Sequence, residues 1–351
     1  MDADISDSLQ AAVRGAIETR QPLQPRGHGS KDFYGNAAGG ERLDVSGHRG
    51  VVSYEPGDLV LSARAGTPLA QIEALLTEHG QMLGFEPPQF GGRGTLGGAV
   101  AAGWSGPRRP WAGSVRDFVL GVRAINGRGE RVRFGGETIK NVAGYDLPRL
   151  YAGSLGTLGL LLEVSVRVLP IAEAEVTLVL EPADPLRQML DWQRRPWPLS
   201  GLCQVGGQVY LRLSGTAAGV DAARKQIGGE PWAQGAVFWQ ALRDLELPFF
   251  AGGSPLWRMS VLPATPPPDL AGEWLVDWGG AQRWLRSEAP PAQVWAAAAA
   301  AHGHASLIRD GERGGGVFQP LPPAHTALQQ RLKAELDPSG LFSPGRLYSG
   351  F

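Results

Sequence analysis

Glycine is what most restricts this chain. Of its 351 residues 50 are glycine, and the runs GGRGTLGG, GRGERVRFGG and GSLGTLG crowd between residues 91 and 159. Glycine so dense serves either backbone brought close to another group or a succession of tight turns. Gly92-x-Gly94-x-x-Gly97 matches the dinucleotide fingerprint, with Asp117 placed where a ribose-binding acid would follow. Its context refutes that match. The fingerprint follows a buried strand and opens a full helix, whereas here EPPQF precedes it, Gly103 and SGP interrupt soon after, and Asp117 begins a strand instead of ending one. The alternative is that Thr95-Leu96-Gly97-Gly98 opens a short helix whose free N–H groups face a diphosphate, with the PRGHGSK turn supplying further donors. Two ordinary tight turns explain the same spacing.

The remaining composition narrows the partners. The chain is long enough for two domains of ordinary size. Lys and Arg (33) nearly cancel Asp and Glu (34), leaving a net charge of -1 and no electrostatic call for nucleic acid or an anionic membrane. With Cys203 as its one cysteine, the chain has no internal disulfide and no four-thiolate metal site of its own. MDADISDSLQ is acidic and lacks an apolar signal core, and no run reaches the roughly 18 apolar residues of a membrane span, so cytoplasmic residence is expected.

Periodicity places the elements. Leu9, Val13 and Ile17 mark an opening helix, and a short strand runs to about Arg26. Leu59–Ala65 alternates as a strand, with Thr67 as cap and Pro68 as first residue of a helix over Leu69–His79 that stops at Gly80. Val119–Ile125 and Arg131–Phe134 read as a hairpin turned by Asn126-Gly127, and Leu160–Val168 as a further strand ending before Pro170. A domain boundary follows near residue 170. Beyond it, segments 176–180, 185–193, 202–205, 208–213, 220–227 and 257–262 follow the β-α-β-β-α-β order of a ferredoxin-like unit, and 326–336 forms a last helix. Nine of the eleven tryptophans lie in this second half, where they fill a core or centre an interface.

Several motifs in fixed order carry a resemblance: PRGHGSKDFYG, ARAGTPLAQIEALL, EPPQFGGRGTLGGAVAAG, SGPRRPWAGSVRDFVLG, FGGETIKNVAGYDL, AGSLGTLGLLLEVSVRVLP and the tail LDPSGLFSPGR. Together they resemble the PCMH-type FAD-binding domain of the vanillyl-alcohol oxidase superfamily, and more narrowly the FAD-binding subunits of glycolate oxidases. The match is dense over about residues 20–170 and returns at the tail. It implies an α+β chain with a PCMH-type FAD domain of two α/β subdomains over 1–170. A ferredoxin-like α+β cap over 171–325 and a helix and tail over 326–351 that return to the FAD domain complete it.

Residue by residue, the resemblance implies that Gly27, His28, Gly29, Ser30 and Lys31 contact the FAD diphosphate. Thr95, Leu96, Gly97 and Gly98 would form the second phosphate-facing segment, with Gly103 admitting the cofactor. Gly113, Ser114 and Asp117 would lie near the isoalloxazine and ribityl groups, and Gly156, Gly159 and Leu160 would close the adenine side. Ser30 stands where covalent members carry their flavin-linking histidine, which implies non-covalent FAD. Asp117 holding its own turn is an equal reading of that residue. Tyr145, Lys140 and Arg346 are the candidates for proton transfer or charge at the reaction centre, with Arg108, Arg109 and Arg116 as further cations whose ordinary place is solvated surface. The histidine-rich metal motif of related catalytic subunits is missing, and His302 with His304 makes no metal site on its own. Expected is therefore an FAD-dependent oxidoreductase subunit acting on glycolate or another 2-hydroxy acid. Its partners would be a homologous catalytic flavin subunit and an iron-sulfur subunit, with membrane attachment only peripheral, at the inner face of the cell membrane and through those partners. The alternatives are a self-sufficient 2-hydroxyacid dehydrogenase and a flavin-free assembly subunit.

Overall fold

Strand pairing divides the chain before any helix is considered: one five-stranded sheet draws on residues 51–167 and a seven-stranded sheet on residues 174–309. The structure is a computed structural model that describes residues 2–136 and 146–351, so the expectations placed on Lys140 and Tyr145 lie outside the described residues. Two compact units result, the first comprising Met1–Trp104, Ser114–Pro170 and Pro320–Phe351, the second Ser105–Gly113 and Ile171–Gln319.

In the first unit, helix α1 (Ser6–Thr19) leads into the parallel pair β1 (Leu23–Arg26) and β2 (Glu41–Asp44). Next come β3 (Val51–Glu55), β4 (Val60–Arg64), α2 (Leu69–Glu78), β5 (Gln81–Met82) and α3 (Leu96–Ala102), then β6 (Val119–Ile125), β7 (Arg131–Gly135), β8 (Leu160–Arg167) and β9 (Leu169–Pro170). The main sheet runs β3-β4-β8-β6-β7, antiparallel throughout. Strands β4 and β8 read as nearly continuous apolar runs because both are interior. Their two serines, Ser62 and Ser165, oppose each other and bond hydroxyl to hydroxyl at 2.7 Å. Leu9, Val13 and Ala16 of α1 pack with Leu23, Val45, Leu162 and Phe342, which draws the far C-terminus into the same core.

Three local expectations are corrected. Thr67 does not cap α2; its buried hydroxyl donates to Arg64 O at 2.7 Å and accepts from Gly50 N at 2.9 Å, bracing the loop between strand and helix. Asn126-Gly127 is not a two-residue hairpin turn. The loop runs to Glu130, with Gly129 at φ +71° and the Asn126 Oδ1 accepting from the N–H groups of Arg128 and Glu130. The final helix begins at Pro323, three residues ahead of the expected Thr326, since proline is tolerated in a first turn.

The second unit holds β10 (Ala174–Leu180), β11 (Leu199–Val205), β12 (Gln208–Gly215), β13 (Leu256–Ser260), β14 (Glu273–Asp277), β15 (Gln282–Arg286) and β16 (His304–Arg309), in the order β10-β12-β11-β14-β15-β13-β16. Helices Pro185–Gln193 and Ala217–Ile227 follow the expected β-α-β-β-α order. The strand expected to close that unit, β13, instead pairs with β15 and β16, while β14 takes the place beside β11, so the sheet is larger than the pattern indicated. The nine tryptophans beyond residue 170 serve the interior: Trp192, Trp239, Trp257, Trp278 and Trp284 are buried and the other four half-buried. That is the core-filling reading, and none of them forms an exposed patch.

Candidate functional site

A cavity of about 440 Å³ lies within the first unit. Its wall is built from the loop after β1 (Gly27 to Asp32), the start of α3 (Thr95, Gly97, Gly98), the segment Leu155 to Leu161, and Ser343 with Arg346 from the tail. Four segments far apart in sequence thus converge on one hollow.

The first loop is closed on itself by Arg26 and Asp32, whose side chains pair (Nε to Oδ1 3.2 Å, with Nη2 to Oδ2 the closer contact). Gly29 sits at φ +71°, the left-handed conformation that an L side chain resists. Among the described residues, no protein acceptor takes the N–H of His28, Gly29 or Ser30. Successive N–H groups around a left-handed residue form an anion-binding concavity. The charged side chains of the lining agree with it: Arg26, Lys31, Arg42 and Arg346 against the single carboxylate of Asp32.

The start of α3 behaves differently from the expected row of free donors. Leu96 N bonds Thr67 O at 3.0 Å, Gly97 N bonds Ala65 O at 2.8 Å, and Gly98 N reaches the Thr95 hydroxyl at 3.2 Å. These bonds fasten the helix to the end of β4. What the segment offers the cavity is space: a Cβ on Gly98 would meet only the Thr95 Oγ1, at 2.9 Å, whereas one on Gly97 would strike Ala65 Cβ at 2.6 Å. Gly97 is therefore packing glycine, and Gly98 is the one that opens toward the hollow.

Gly27, His28, Gly29, Ser30, Lys31, Thr95, Gly97, Gly98, Gly156, Gly159, Leu160 and Arg346 all line the cavity. Leu96 is fully buried and not part of the lining. Gly103, Gly113, Ser114 and Asp117 stand outside the lining. Gly103 ends α3 at φ +69°, close against Gly153. Asp117 accepts from Ser114 N at 2.8 Å and Ser114 Oγ at 2.7 Å, a capping box that holds the short helix Val115–Phe118. Arg108 pairs with Glu175 at 2.9 Å and Arg109 lies over the Trp278 ring at 4.3 Å, both within the second unit, while Arg116 is exposed. His304 starts β16, opposite Ser260. Sequence reasoning missed Arg42, Leu155 and Ser343. Arg42 looks like surface charge on a short strand, and only the parallel pairing of β2 with β1 brings it to the hollow.

A glycine-floored cavity with open N–H groups and a cationic rim fits a diphosphate-bearing cofactor. Residues 3–135 match the family model described as FAD binding domain. Over 350 residues the chain is 48% identical to glycolate oxidase subunit GlcE of Escherichia coli (strain K12), covering 99% of both chains. The chain belongs to the GlcE family. Two further relatives match about half of this chain. Glycolate oxidase subunit GlcD of Bacillus subtilis (strain 168) is 30% identical over 178 residues, 50% of this chain and 37% of that one. A D-lactate dehydrogenase of Archaeoglobus fulgidus is 30% identical over 166 residues, 47% and 37%. The fold extends further than the sequence: alkyldihydroxyacetonephosphate synthase superposes with a TM-score of 0.66 over 95% of this chain and 73% of its own, at 14% identity. The α+β architecture and the FAD domain are thereby those expected.

Proposed function

We propose that this chain is the FAD-binding subunit of a glycolate-oxidising complex, in which a homologous flavin subunit of the GlcD kind oxidises the 2-hydroxy acid and an iron-sulfur subunit carries electrons onward. The observation that carries the reading is identity to a glycolate oxidase subunit along the whole length, second unit included. Flavin bound here would supply a redox carrier able to take up one or two electrons. The chain's own residues do the holding. The N–H groups of His28, Gly29 and Ser30 receive the diphosphate, with Lys31 and Arg42 lending charge; Thr95 and Gly98 border the same space; Gly156, Gly159 and Leu160 close the adenine side. Gly103, Gly113, Ser114 and Asp117 serve the flavin by fixing the turns around α3 and the Ser114 helix. Ser30 provides no imidazole for a covalent link. Among the described residues no helix is long and apolar enough to cross a membrane; we assign the subunit to the cytoplasm, with any membrane contact made through its partners.

Anaerobic mixing of the lone chain and of the co-expressed complex with glycolate, D-lactate and D-2-hydroxyglutarate, followed at the oxidised-flavin absorbance, tests the assignment. Bleaching by the complex and not by the lone chain is expected, with iron and flavin both counted in the complex. Rapid bleaching by the lone chain supports a self-sufficient dehydrogenase instead, and colourless protein that takes up no added FAD supports an assembly role.

A further inference from the structure

Arg346 was a candidate for charge at the reaction centre, yet its guanidinium is turned elsewhere. Nη1 donates to Asn36 O at 2.9 Å, and Nη2 donates to Asp32 O at 3.2 Å, at the limit to Lys31 O at 3.5 Å, and most closely to Tyr34 O. We propose that Arg346 is a positioning residue for cofactor binding: it gathers the carbonyls of the loop from Lys31 to Asn36 and thereby aims the N–H groups of His28 to Ser30 into the cavity. The proposal rests on the flavin reading above.

The contact is reciprocal. Asn36 N donates to Arg346 O at 3.0 Å, and Asn36 Nδ2 to Leu347 O at 2.7 Å. Gly39 N adds a bond to Pro344 O at 3.2 Å. At Gly35, at φ +93°, a Cβ would lie 2.9 Å from Arg346 Nε, so the loop needs glycine for the guanidinium to pass. Carbonyl dipoles that converge on one point repel one another unless a cation stands among them. The Lys31 carbonyl shares its peptide plane with Asp32 N–H, which donates to Gly29 O at 3.2 Å, and Gly29 O shares its plane with Ser30 N–H, so holding the first orients the last. Removing the cation therefore releases the carbonyls, and the anion-binding N–H groups lose their prior orientation, which weakens binding through the cost of ordering. Arginine suits the task because its planar fork carries five donors, whereas lysine offers three from a single point.

Two roles are separable by chemistry. If Arg346 acted only as a positive charge beside the diphosphate, lysine would preserve binding; if it acts through the loop, lysine fails nearly as badly as alanine. Binding of FAD, ADP and riboflavin to the full chain, measured by fluorescence and calorimetry, decides this for wild type, Arg346→Lys and Arg346→Ala. We expect both variants to weaken FAD and ADP by about ten- to a hundredfold, as for loss of charge-assisted hydrogen bonds, while riboflavin, which has no phosphate, binds as to wild type. Wild-type affinity in Arg346→Lys would overturn the proposal in favour of simple charge, and an equal loss for riboflavin would overturn it in favour of general structure. Should Arg346→Ala not fold, Asn36→Ala removes the Leu347 contact and loosens the same grip, with the same pattern expected across the three ligands. A wild type that binds neither FAD nor ADP defeats the flavin reading itself; a wild type that binds both, with variants equal to it, defeats this proposal alone.

Discussion

Lys333 and Asp337, one helical turn apart, form an ion pair at 2.6 Å that is withdrawn from solvent on both sides. The ammonium also donates to Thr157 O at 2.6 Å and Phe342 O at 2.9 Å, and the carboxylate accepts from Leu341 N at 3.0 Å and Phe342 N at 2.8 Å. The pair thus folds the tail back onto the segment that follows Ser154. From there the tail runs as an extra edge to β1, with Leu23 N bonded to Leu341 O and Ser343 N to Leu23 O, each at 2.8 Å. Asp337→Ala leaves a buried ammonium without its counter-charge, a change that costs about 3–5 kcal/mol. Chemical denaturation should show a loss of that size; stability within 1 kcal/mol of wild type (about a fivefold change in the folding constant) would mean the tail is held by its apolar contacts alone.

Gly97 and Gly98 are neighbours with opposite sensitivities. Gly98→Asp should leave the fold intact and lower flavin occupancy by at least about tenfold, equivalent to about 1.4 kcal/mol, because the new carboxylate enters the hollow where the diphosphate belongs. Gly97→Ala should instead cost about 1–3 kcal/mol of stability through overpacking against Ala65. Flavin-to-protein ratios and thermal melts on the two purified variants check the contrast, and an unchanged ratio in Gly98→Asp would remove the start of α3 from the cofactor site.

Acid precipitation of the purified flavoprotein should leave all the FAD in the supernatant, since a serine hydroxyl at position 30 cannot form a histidyl-flavin bond. Flavin fluorescence migrating with the denatured polypeptide would contradict this.

His48 gives the first unit a defined response to pH. It is buried, its Nδ1 accepts from Ile5 N at 3.2 Å, and burial pushes its pKa below the usual value, with nearby Asp4 opposing in part. The folded state therefore resists a proton that the unfolded state accepts. Stability from this group is complete above the unfolded value near 6.5 and falls as the pH drops toward the folded one. Thermal melts between pH 7.5 and pH 5 should show the decline, and His48→Asn, which keeps an acceptor for Ile5 N and does not titrate, should flatten it. Parallel curves for the two proteins would show that His48 is not the source.

Much of this molecule is legible without coordinates. Strands β4, β6 and β8 and helix α2 announce themselves because periodicity and stops are local properties of neighbouring residues. The loop from Gly27 to Lys31 is legible for the same reason: a left-handed turn is written in glycine where it occurs. The second unit was less legible, since its sheet order depends on which strand reaches β11 first, and Trp274 to Asp277 looks locally no more like a neighbour of Gln204 than Trp257 to Ser260 does.

The sequence by itself pointed to glycine-rich turns at residues 27–31 and 95–98, to the lack of an imidazole at position 30, and to a resemblance to the FAD-binding subunits of glycolate oxidases. Tertiary structure decided what those residues do. Only folding showed that the donors at the start of α3 are already taken by Ala65 and Thr67, that Asp117 is spent on Ser114, and that Arg346 serves the first loop. The physical reason is that a hydrogen-bonding group has few partners and several compete for it; Asp117 finds its partner three residues away, while Arg346 finds its own across 312 residues, beyond the reach of any local pattern.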